Sequence, residues 1–550
     1  MKTSGDRQSG KQRGRRVEAA LAAIAIGLSV VAWRVHAEPQ PAPSVTAVAE
    51  PATASGSATP TPTPTATFAP PLGWGPVASE WDSALADAQS LTVEQAAGQV
   101  IMVSLDAPEV KPATAMVRER HLAGVLLLGG AVVEGAQVMS LNSYLAGADP
   151  DRDWPVMIAT DEEGGVVQRL RPAIGYVSAF MAAGANADFD EARDYYTGLG
   201  TQLSAFGFTM DMAPVADVTV GLGDPTIRTR SAGSDPQVVD RAVAAAWTGL
   251  DAGGVSPVLK HFPGHGSVAV DSHTGLPHQS ATIAELSQRD FVPFADAISS
   301  GAPAVMMGHI QVAAWGNAPA TVNPLAYAYL RDEMGFDGVI MTDAMNMEAI
   351  TDLYAPGAAT VAALNAGADL VLMPADLDAA IAGIEAAVAD GSLSRARLDD
   401  AAAKVILLAR FQARDQEAFA PARPREFVEG SVVVASRDCS ALIGPTVRIS
   451  GGTASQRALL ATALVARGKA VGTKGTEIAL VNGDAGHADA TVVVALGGPW
   501  GLPASTAHTY VAAWGEGEEQ MDAVAAVLAG DVAPRGTWPV AVSVPFPSCG

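Results

Sequence analysis

The sequence predicts an α/β fold, a (β/α)8 TIM-type barrel followed by a smaller C-terminal α/β domain with a sandwich-like arrangement. Continuous apolar runs alternate with alanine-rich helical segments, which is typical of strands buried in a parallel sheet. Eight such runs occur along the chain of 550 residues, the number of strands in this kind of barrel. Polar clusters follow several runs at their C-terminal ends, where barrel enzymes carry their catalytic groups.

The predicted barrel occupies residues 76–415. Thr92 and Gln95 fit a capping box that opens a short first helix. The apolar runs then predict strands over residues 99–105, 124–128, 155–160, 209–214, 255–259, 304–307, 338–342 and 369–373. A helix over residues 399–411 is expected to end this part of the chain.

A second, smaller α/β domain is predicted over residues 430–550, after a linker rich in proline, arginine and glutamate. Its expected strands cover residues 431–435, 447–450, 477–481, 491–496 and 538–542, and its expected helices cover residues 456–467 and 518–529. We find no catalytic cluster in this domain, and its glycines lack the spacing of a dinucleotide-binding motif.

The N-terminal residues 1–37 have the pattern of an export signal. A basic segment precedes an apolar run over residues 21–33, and Val35-His36-Ala37 resembles a cleavage site. Arg34 stands awkwardly before that site, so an uncleaved membrane anchor is the alternative. Residues 38–75 are rich in proline, threonine and alanine, which predicts an extended linker. We therefore expect an exported protein, either secreted or held at a bacterial cell surface.

The net charge of the chain is −24, and this acidic balance does not suit binding to nucleic acid. The two cysteines, Cys439 and Cys549, allow one disulfide bond and no disulfide framework.

The polar clusters at strand ends are the candidate catalytic groups. Asp161 begins a cluster after the third run, Lys260 and His261 follow the fifth, His309 follows the sixth and Asp343 follows the seventh. A lone aspartate at a strand end can be a nucleophile, a metal ligand or a helix N-cap. The other clusters at the same end of the barrel favour a chemical role for Asp343.

A glycine-rich loop after the fifth run carries Asp271 and His273. A histidine can give and take a proton near neutral pH, and a neighbouring aspartate can orient it. A surface histidine without a role is the alternative. A metal site is a further alternative, since His261 and His265 could join Asp271 and His273 as ligands. It is disfavoured because a proline and a glycine between the first two histidines prevent a shared helix face.

The segment Lys260-His261-Phe-Pro-Gly-His265-Gly, followed by Asp271-Ser-His273, resembles the signature of family 3 glycoside hydrolases of the β-N-acetylglucosaminidase type. Five further segments between about residues 90 and 410 resemble family segments in the same order. They are Asp161-Glu-Glu-Gly-Gly-Val-Val-Gln-Arg169, Thr226-Ile-Arg-Thr-Arg230-Ser-Ala-Gly-Ser-Asp-Pro, Met307-Gly-His309-Ile, Phe336-Asp-Gly-Val-Ile-Met-Thr-Asp343 and Ala366-Gly-Ala-Asp-Leu-Val-Leu-Met-Pro374.

The resemblance implies a role for each candidate residue. Asp343 is the implied nucleophile, and His273, held by Asp271, is the implied general acid and then general base. The implied sugar-binding residues are Asp161, Arg169, Arg230, Lys260 and His261. Retaining hydrolysis needs a nucleophile and a proton donor on opposite sides of the sugar, so neither a metal nor a cofactor is expected.

The sequence departs from the family pattern at four positions. Val166 and Ala232 replace a frequent arginine and phenylalanine, Ala344 replaces a second aspartate, and Asp224 replaces a frequent asparagine. None of these changes removes an implied catalytic group, but they bear on the preference for the substrate.

The resemblance implies an exo-acting, retaining β-N-acetylglucosaminidase whose substrates are N-acetylglucosaminides such as muropeptides from peptidoglycan. One alternative is a phosphorylase, because a histidine acid/base repels phosphate less than a carboxylate does. The other is a non-catalytic cell-wall-binding protein, against which the intact Asp343, His273 and Lys260 argue. The oligomeric state is left open.

Overall fold

The structure is a computed structural model that describes residues 72–413 and 424–550. The predicted export signal, residues 1–37, and nearly all of the predicted linker lie outside the described residues. In the described ranges, no helix has both the length and the apolar character needed to cross a membrane.

Eight parallel strands form the barrel within the described residues. They are β1 (Ile101–Leu105), β2 (Gly124–Leu127), β3 (Met157–Thr160), β4 (Met210–Asp211), β5 in two segments (Ser256–Pro257 and Leu259–Phe262), β6 (Ala304–Met307), β7 (Val339–Thr342) and β8 (Val371–Leu372).

The strand pairings run around a closed ring. Strands β8, β1, β2, β3, β4 and the first segment of β5 pair in that order, and the second segment of β5 pairs with β6, which pairs with β7. Backbone hydrogen bonds join the two sheets. Ala216 N, in the segment that follows β4, donates to Lys260 O of β5 at 2.6 Å. Thr342 N of β7 donates to Leu370 O, just before β8, at 2.9 Å. The predicted barrel is therefore confirmed.

Every residue of β2, β3, β6 and β7 is buried, as expected for strands covered by helices on the outside and by packed side chains inside. The predicted strand over residues 209–214 shortens to Met210–Asp211. Pro214 has no N–H to donate to a neighbouring strand, so the apolar run outlasts the regular strand.

The capping box at the first short helix is confirmed. Gln95 N donates to Thr92 Oγ1 at 3.2 Å, and Thr92 N donates to Gln95 Oε1 at 3.0 Å. The α-helices of this part are Ala78–Ser90, Val93–Gln99, Val110–Glu119, Gly135–Ala146, Arg171–Ile174, Met181–Ala185, Phe189–Ala205, Pro236–Ala252, Ile283–Gln288, Val292–Ser299, Pro324–Ala328, Glu348–Thr351, Pro356–Ala366, Leu377–Asp390 and Arg395–Gln412.

The C-terminal domain contains a six-stranded sheet in the described residues. In spatial order its strands are Val433–Ser436, Thr509–Ala512, Val492–Ala495, Thr476–Val481, Thr446–Gly451 and Ala470–Val471. The first pair is antiparallel and the others are parallel. Its helices are Arg425–Ser431, Ala454–Ala466 and Glu518–Ala529.

One predicted strand of this domain is wrong. Residues 538–542 form no strand, because the Pro539 carbonyl accepts a hydrogen bond from Ser234 N of the barrel at 3.0 Å and the segment packs there instead. The unpredicted strand Thr509–Ala512 lies between two others in the sheet. Cys439 and Cys549 form a disulfide bond.

The two domains share buried contacts. The rings of Tyr195 and Phe427 stack with their centroids 4.2 Å apart, and Gln520 Nε2 donates to Ser178 Oγ at 2.8 Å. The C-terminal domain thus packs against the barrel through buried side chains, in addition to its covalent connection to the barrel.

Candidate active site

A cavity of about 310 Å³ lies at the C-terminal end of the barrel strands. Seven of the eight site residues predicted from the sequence line it: Asp161, Arg169, Arg230, Lys260, His261, His273 and Asp343. The eighth, Asp271, contacts His273. Lys260 and His261 lie within the second segment of β5 rather than after it, because the strand continues to Phe262.

Asp343 directly follows β7 and its backbone N donates to Met307 O at 2.9 Å. Burial opposes ionisation of its carboxyl, but His309, His261, the N–H of Ala344 and Lys260 outweigh burial and lower the pKa of Asp343 to about 2. The carboxylate is therefore charged at neutral pH, as a nucleophile must be.

The structure also tests the two other roles of a strand-end aspartate. Asp343 caps no helix, since the next helix begins at Glu348 with Met347 at its N-cap position. No group of three or more His, Cys, Asp or Glu side chains arranged to hold a metal ion occurs among residues 72–413 and 424–550.

Two acidic side chains hold the basic groups of the site. Lys260 Nζ lies 2.5 Å from Asp161 Oδ1 and 2.6 Å from Glu163 Oε1. Asp161 Oδ2 also accepts from Arg169 Nη2 at 3.1 Å, and both Glu163 oxygens accept from Arg230 at 2.8 Å. These ion pairs fix the donors that can bind sugar hydroxyls.

Glu163 was not singled out from the sequence, although it belongs to the Asp161-Glu-Glu motif. Its side chain is only 1% exposed. Burial alone would raise its pKa, but Arg230 and Lys260 hold the pKa of Glu163 well below its ordinary value. Asp161 and, after it, Glu163 raise the pKa of Lys260 against the effect of burial. The two carboxylates together thus keep Lys260 charged, and Glu163 also pairs with Arg230.

His261 is oriented by a second buried carboxylate that the sequence did not reveal. Its Nδ1 lies 2.7 Å from Asp217 Oδ2, and its Nε2 lies 3.4 Å from Arg230 Nη2. Burial by itself would raise the pKa of the Asp217 carboxyl, but His261 and His265 outweigh burial and lower this pKa below its ordinary value. Asp217 lies in a plain apolar stretch after β4, so no motif pointed to it.

The loop after β5 presents a histidine–aspartate pair at the mouth of the cavity. His273 Nδ1 lies 2.8 Å from Asp271 Oδ1, which also accepts from His273 N at 3.0 Å. The His273 side chain is 63% exposed. Asp271 therefore fixes the orientation of the imidazole ring through Nδ1, and Nε2 takes no part in this contact.

Ser272 anchors the middle of this loop. Its side chain is buried and its Oγ lies 3.0 Å from His265 Nε2, while its carbonyl accepts from Ala349 N at 3.3 Å. Burial, with a smaller contribution from His261, lowers the pKa of His265 to about 4, so this histidine is neutral. The structure places His265 where it can brace the loop that carries His273.

A comparison with family models agrees with this geometry. The model described as "Glycosyl hydrolase family 3 N terminal domain" matches residues 92–408. The chain belongs to glycosyl hydrolase family 3. It is therefore a glycoside hydrolase, and the matched residues span all eight barrel strands and the cavity-lining residues.

Two proteins named β-hexosaminidases are similar to this chain over about half of its length. The β-hexosaminidase LpqI of Mycobacterium tuberculosis is 35% identical over 310 residues, which are 53% of this chain and 77% of that protein. β-Hexosaminidase A of Pseudoalteromonas piscicida is 34% identical over 281 residues, 47% of each chain, so the match spans about half of that relative.

One solved structure extends the similarity to the C-terminal domain. A glycoside hydrolase family 3 β-N-acetylglucosaminidase from Paenibacillus sp. FPU-7 is 26% identical, with a TM-score of 0.72. The match covers 82% of this chain and 99% of that one. The barrel with its smaller second domain is thus a family 3 arrangement.

Two buried carboxyls, Glu162 and Asp211, lie next to the ion-paired residues of the site. Glu162 Oε2 accepts from Arg169 N at 2.9 Å and from Leu170 N at 2.8 Å, and Asp211 Oδ1 accepts from Glu162 N at 2.9 Å. Burial, with the charges of Asp211 and Asp161, raises the pKa of Glu162 to about 8. Burial also raises the pKa of Asp211 to about 7.

We predict that Glu162→Gln flattens the pH dependence of stability. The folded state holds a proton on Glu162 that the unfolded chain releases above its ordinary pKa of about 4.5. Stability from this group is therefore complete below about pH 4.5 and is lost as the pH rises towards 8. Thermal unfolding between pH 5 and pH 8 should show a difference on the order of a few kcal/mol between wild type and variant.

The control is Glu333→Gln, a substitution of an exposed glutamate. The stability of this variant should depend on pH in the same way as that of the wild type. If the stability of Glu162→Gln changes with pH in the same way as that of the wild type, Glu162 is ionised in the folded protein and its pKa is not raised.

Proposed function

We propose that the protein is an exo-acting, retaining β-N-acetylglucosaminidase with Asp343 as nucleophile and His273 as acid/base. The observation that carries the proposal is the single cavity that holds both groups. An ionised Asp343 lies in it with the Asp271-oriented His273 at its mouth and the Lys260 network beside them. A nucleophile and a proton donor at one sugar-sized site are the two groups that retaining hydrolysis requires.

The reaction then has two steps. Asp343 Oδ attacks the anomeric carbon while His273 Nε2 protonates the leaving oxygen, which gives a glycosyl ester on Asp343 and a neutral imidazole. That imidazole removes a proton from water, whose oxygen attacks the anomeric carbon and releases Asp343 as a carboxylate. Asp271 stabilises the positive charge on His273 before each proton is donated.

The ion-paired groups beside the nucleophile support action on a terminal sugar. Lys260, Arg169 and Arg230 present fixed N–H donors to the cavity, and Asp161 presents acceptors. A volume of about 310 Å³ is at the lower end for ligand sites and suits one sugar unit better than a long chain. A site of that size supports the proposal of exo-acting hydrolysis.

The similar proteins support N-acetylglucosaminides as the substrate class, since two are named β-hexosaminidases and one a β-N-acetylglucosaminidase. We further propose that the natural substrates are muropeptides from peptidoglycan. The expected export signal over residues 1–37 and the linker over residues 38–75 support a place at the cell surface, either secreted or anchored there. Fractionation of the native cell and N-terminal sequencing of the mature protein test the location.

An assay with a chromogenic β-N-acetylglucosaminide tests the activity. We expect faster release of the chromophore from this glycoside than from the matching glucoside, and free sugar as the product even when phosphate is present. Sugar 1-phosphate as the main product would instead show a phosphorylase. No turnover of any glycoside, combined with binding to isolated cell wall, would show a non-catalytic binding protein. Purified muropeptides that begin with N-acetylglucosamine then test the natural substrate.

A further inference from the structure

Residues 219–234 follow β4 and form what we call the binding segment. It brings two polar side chains to the cavity, Arg230 and Thr226. Thr226 Oγ1 is buried and has no hydrogen-bond partner in the described part of the chain. Burying a hydroxyl without a hydrogen-bond partner is unfavourable, and a sugar bound in the cavity would offer an oxygen as that partner. The position of the binding segment therefore bears on how the sugar is held.

The C-terminal domain contacts the middle of the binding segment through an ion pair. Arg228 Nη1 lies 3.1 Å from Asp484 Oδ2, and Asp484 Oδ1 accepts from Gly498 N at 3.0 Å within its own domain. Arg228 has a φ of 47°, in the left-handed region that a non-glycine residue adopts only when its surroundings hold it there. A Cβ on Gly221 would lie only 2.7 Å from the indole nitrogen of Trp500, so the two domains approach closely here too.

A second contact lies at the other end of the binding segment. Ser234 N donates to Pro539 O at 3.0 Å, and a Cβ on Gly233 would lie 2.6 Å from the same carbonyl. Within the segment, Thr219 N donates to Gly233 O at 3.1 Å and ties its two ends together. The C-terminal domain thus contacts the segment on both sides of its cavity-lining residues.

We propose that the C-terminal domain is a positioning element for sugar binding, in which Asp484 acts through Arg228 to hold Thr226 and Arg230 against the terminal sugar. The proposal rests on the proposed function, since it takes the cavity as the sugar site. Asp484 is not among the cavity-lining residues, so it is a positioning residue and not a catalytic one. Displacements of about 1 Å are enough to weaken the productive binding of a substrate.

The test compares Asp484→Asn with Glu191→Gln. Asparagine keeps an acceptor for Gly498 N but removes the charge that holds Arg228. Glu191 is a matched control, because its 3.0 Å ion pair with Arg535 also joins the two domains and both carboxylate side chains are 20% exposed. Asp484→Asn should raise KM for the chromogenic N-acetylglucosaminide about 3- to 10-fold and leave kcat within about twofold. Glu191→Gln should change neither.

Two more variants and a binding measurement separate positioning from simple stabilisation. Asp484→Glu restores the charge and should recover most of the wild-type KM. Gly233→Ala places a methyl group against the Pro539 carbonyl and should raise KM in the same direction as Asp484→Asn. The affinity for free N-acetylglucosamine, measured by calorimetry, should fall in parallel with each rise in KM.

Unchanged KM and sugar affinity in Asp484→Asn and Gly233→Ala overturn the positioning role, and so does a lowered Tm without a change in either quantity. The proposed function stands in that case if the wild type hydrolyses the glycoside. A wild type that does not hydrolyse it contradicts the proposed function, while the free-sugar affinities of the variants still decide the role of Asp484.

Discussion

Replacing Asp343 with asparagine is expected to lower kcat by at least about 1,000-fold. The asparagine amide cannot attack the anomeric carbon to form a glycosyl ester. Asp161, another carboxylate that lines the cavity, is held by Lys260 and Arg169 and cannot take over the attack. KM should change far less than kcat, because Asp343 acts on the reacting carbon and not on the sugar hydroxyls. Initial rates on the chromogenic N-acetylglucosaminide measure both constants.

Asp211→Asn is the matched control for this variant. Asp211 is also a buried aspartate at the end of a barrel strand, but it does not line the cavity. Its variant should retain at least about half of the wild-type kcat. Acid-quenched wild-type enzyme should carry one sugar mass on the peptide that contains Asp343. Wild-type turnover by Asp343→Asn, or a sugar on another residue, would falsify the assignment of the nucleophile.

The second large effect is expected for His273→Gln, which should lower kcat by about 100- to 10,000-fold on substrates with a poor leaving group. Glutamine cannot donate a proton to the departing oxygen. A nitrophenyl glycoside needs less protonation, so the rate at which nitrophenol is released in the first step should fall less. Asp271→Asn keeps the imidazole but removes the carboxylate 2.8 Å from Nδ1, and a loss of about 10- to 100-fold is expected.

His278→Gln provides the control, since His278 is an exposed histidine near the same loop that does not line the cavity. It should keep wild-type rates with both kinds of leaving group. The proton-donor role of His273 is wrong if His273→Gln slows the first step, measured as release of the leaving group in a single turnover, by the same factor for good and poor leaving groups.

Much of the barrel could be predicted from the sequence because its strands are buried on both faces. Such strands are continuous apolar runs, and β6, Ala304–Met307, has the bounds that its run predicted. The prediction was poorer in the C-terminal domain, where Thr509–Ala512 was missed and residues 538–542 were wrongly taken as a strand. The latter segment contains Pro539, whose carbonyl accepts a hydrogen bond from Ser234 N of the barrel, while Trp538 and Val542 pack against buried residues of the C-terminal domain.

Some contacts of the candidate site could likewise be predicted from the sequence, and others could not. Asp271 and His273 are two residues apart, so their contact follows from local spacing and could be expected. Glu163 and Arg230 are 67 residues apart, and Asp217 and His261 are 44 apart. The sequence contains these carboxylates but no local pattern that pairs each with its basic partner.

The sequence by itself determined the order of the eight barrel strands, the strand-end position of Asp343 and the histidine–aspartate pair on the loop. These features depend on hydrophobic periodicity and on short spacings, which a linear chain displays directly. Only the tertiary structure decided that Glu163 holds Lys260 and Arg230, that Cys439 bonds to Cys549, and that Asp484 reaches Arg228 from 256 residues away. The physical reason is that a buried charge takes whichever partner the closed fold brings near it, and closure of the barrel and docking of the second domain bring distant segments together.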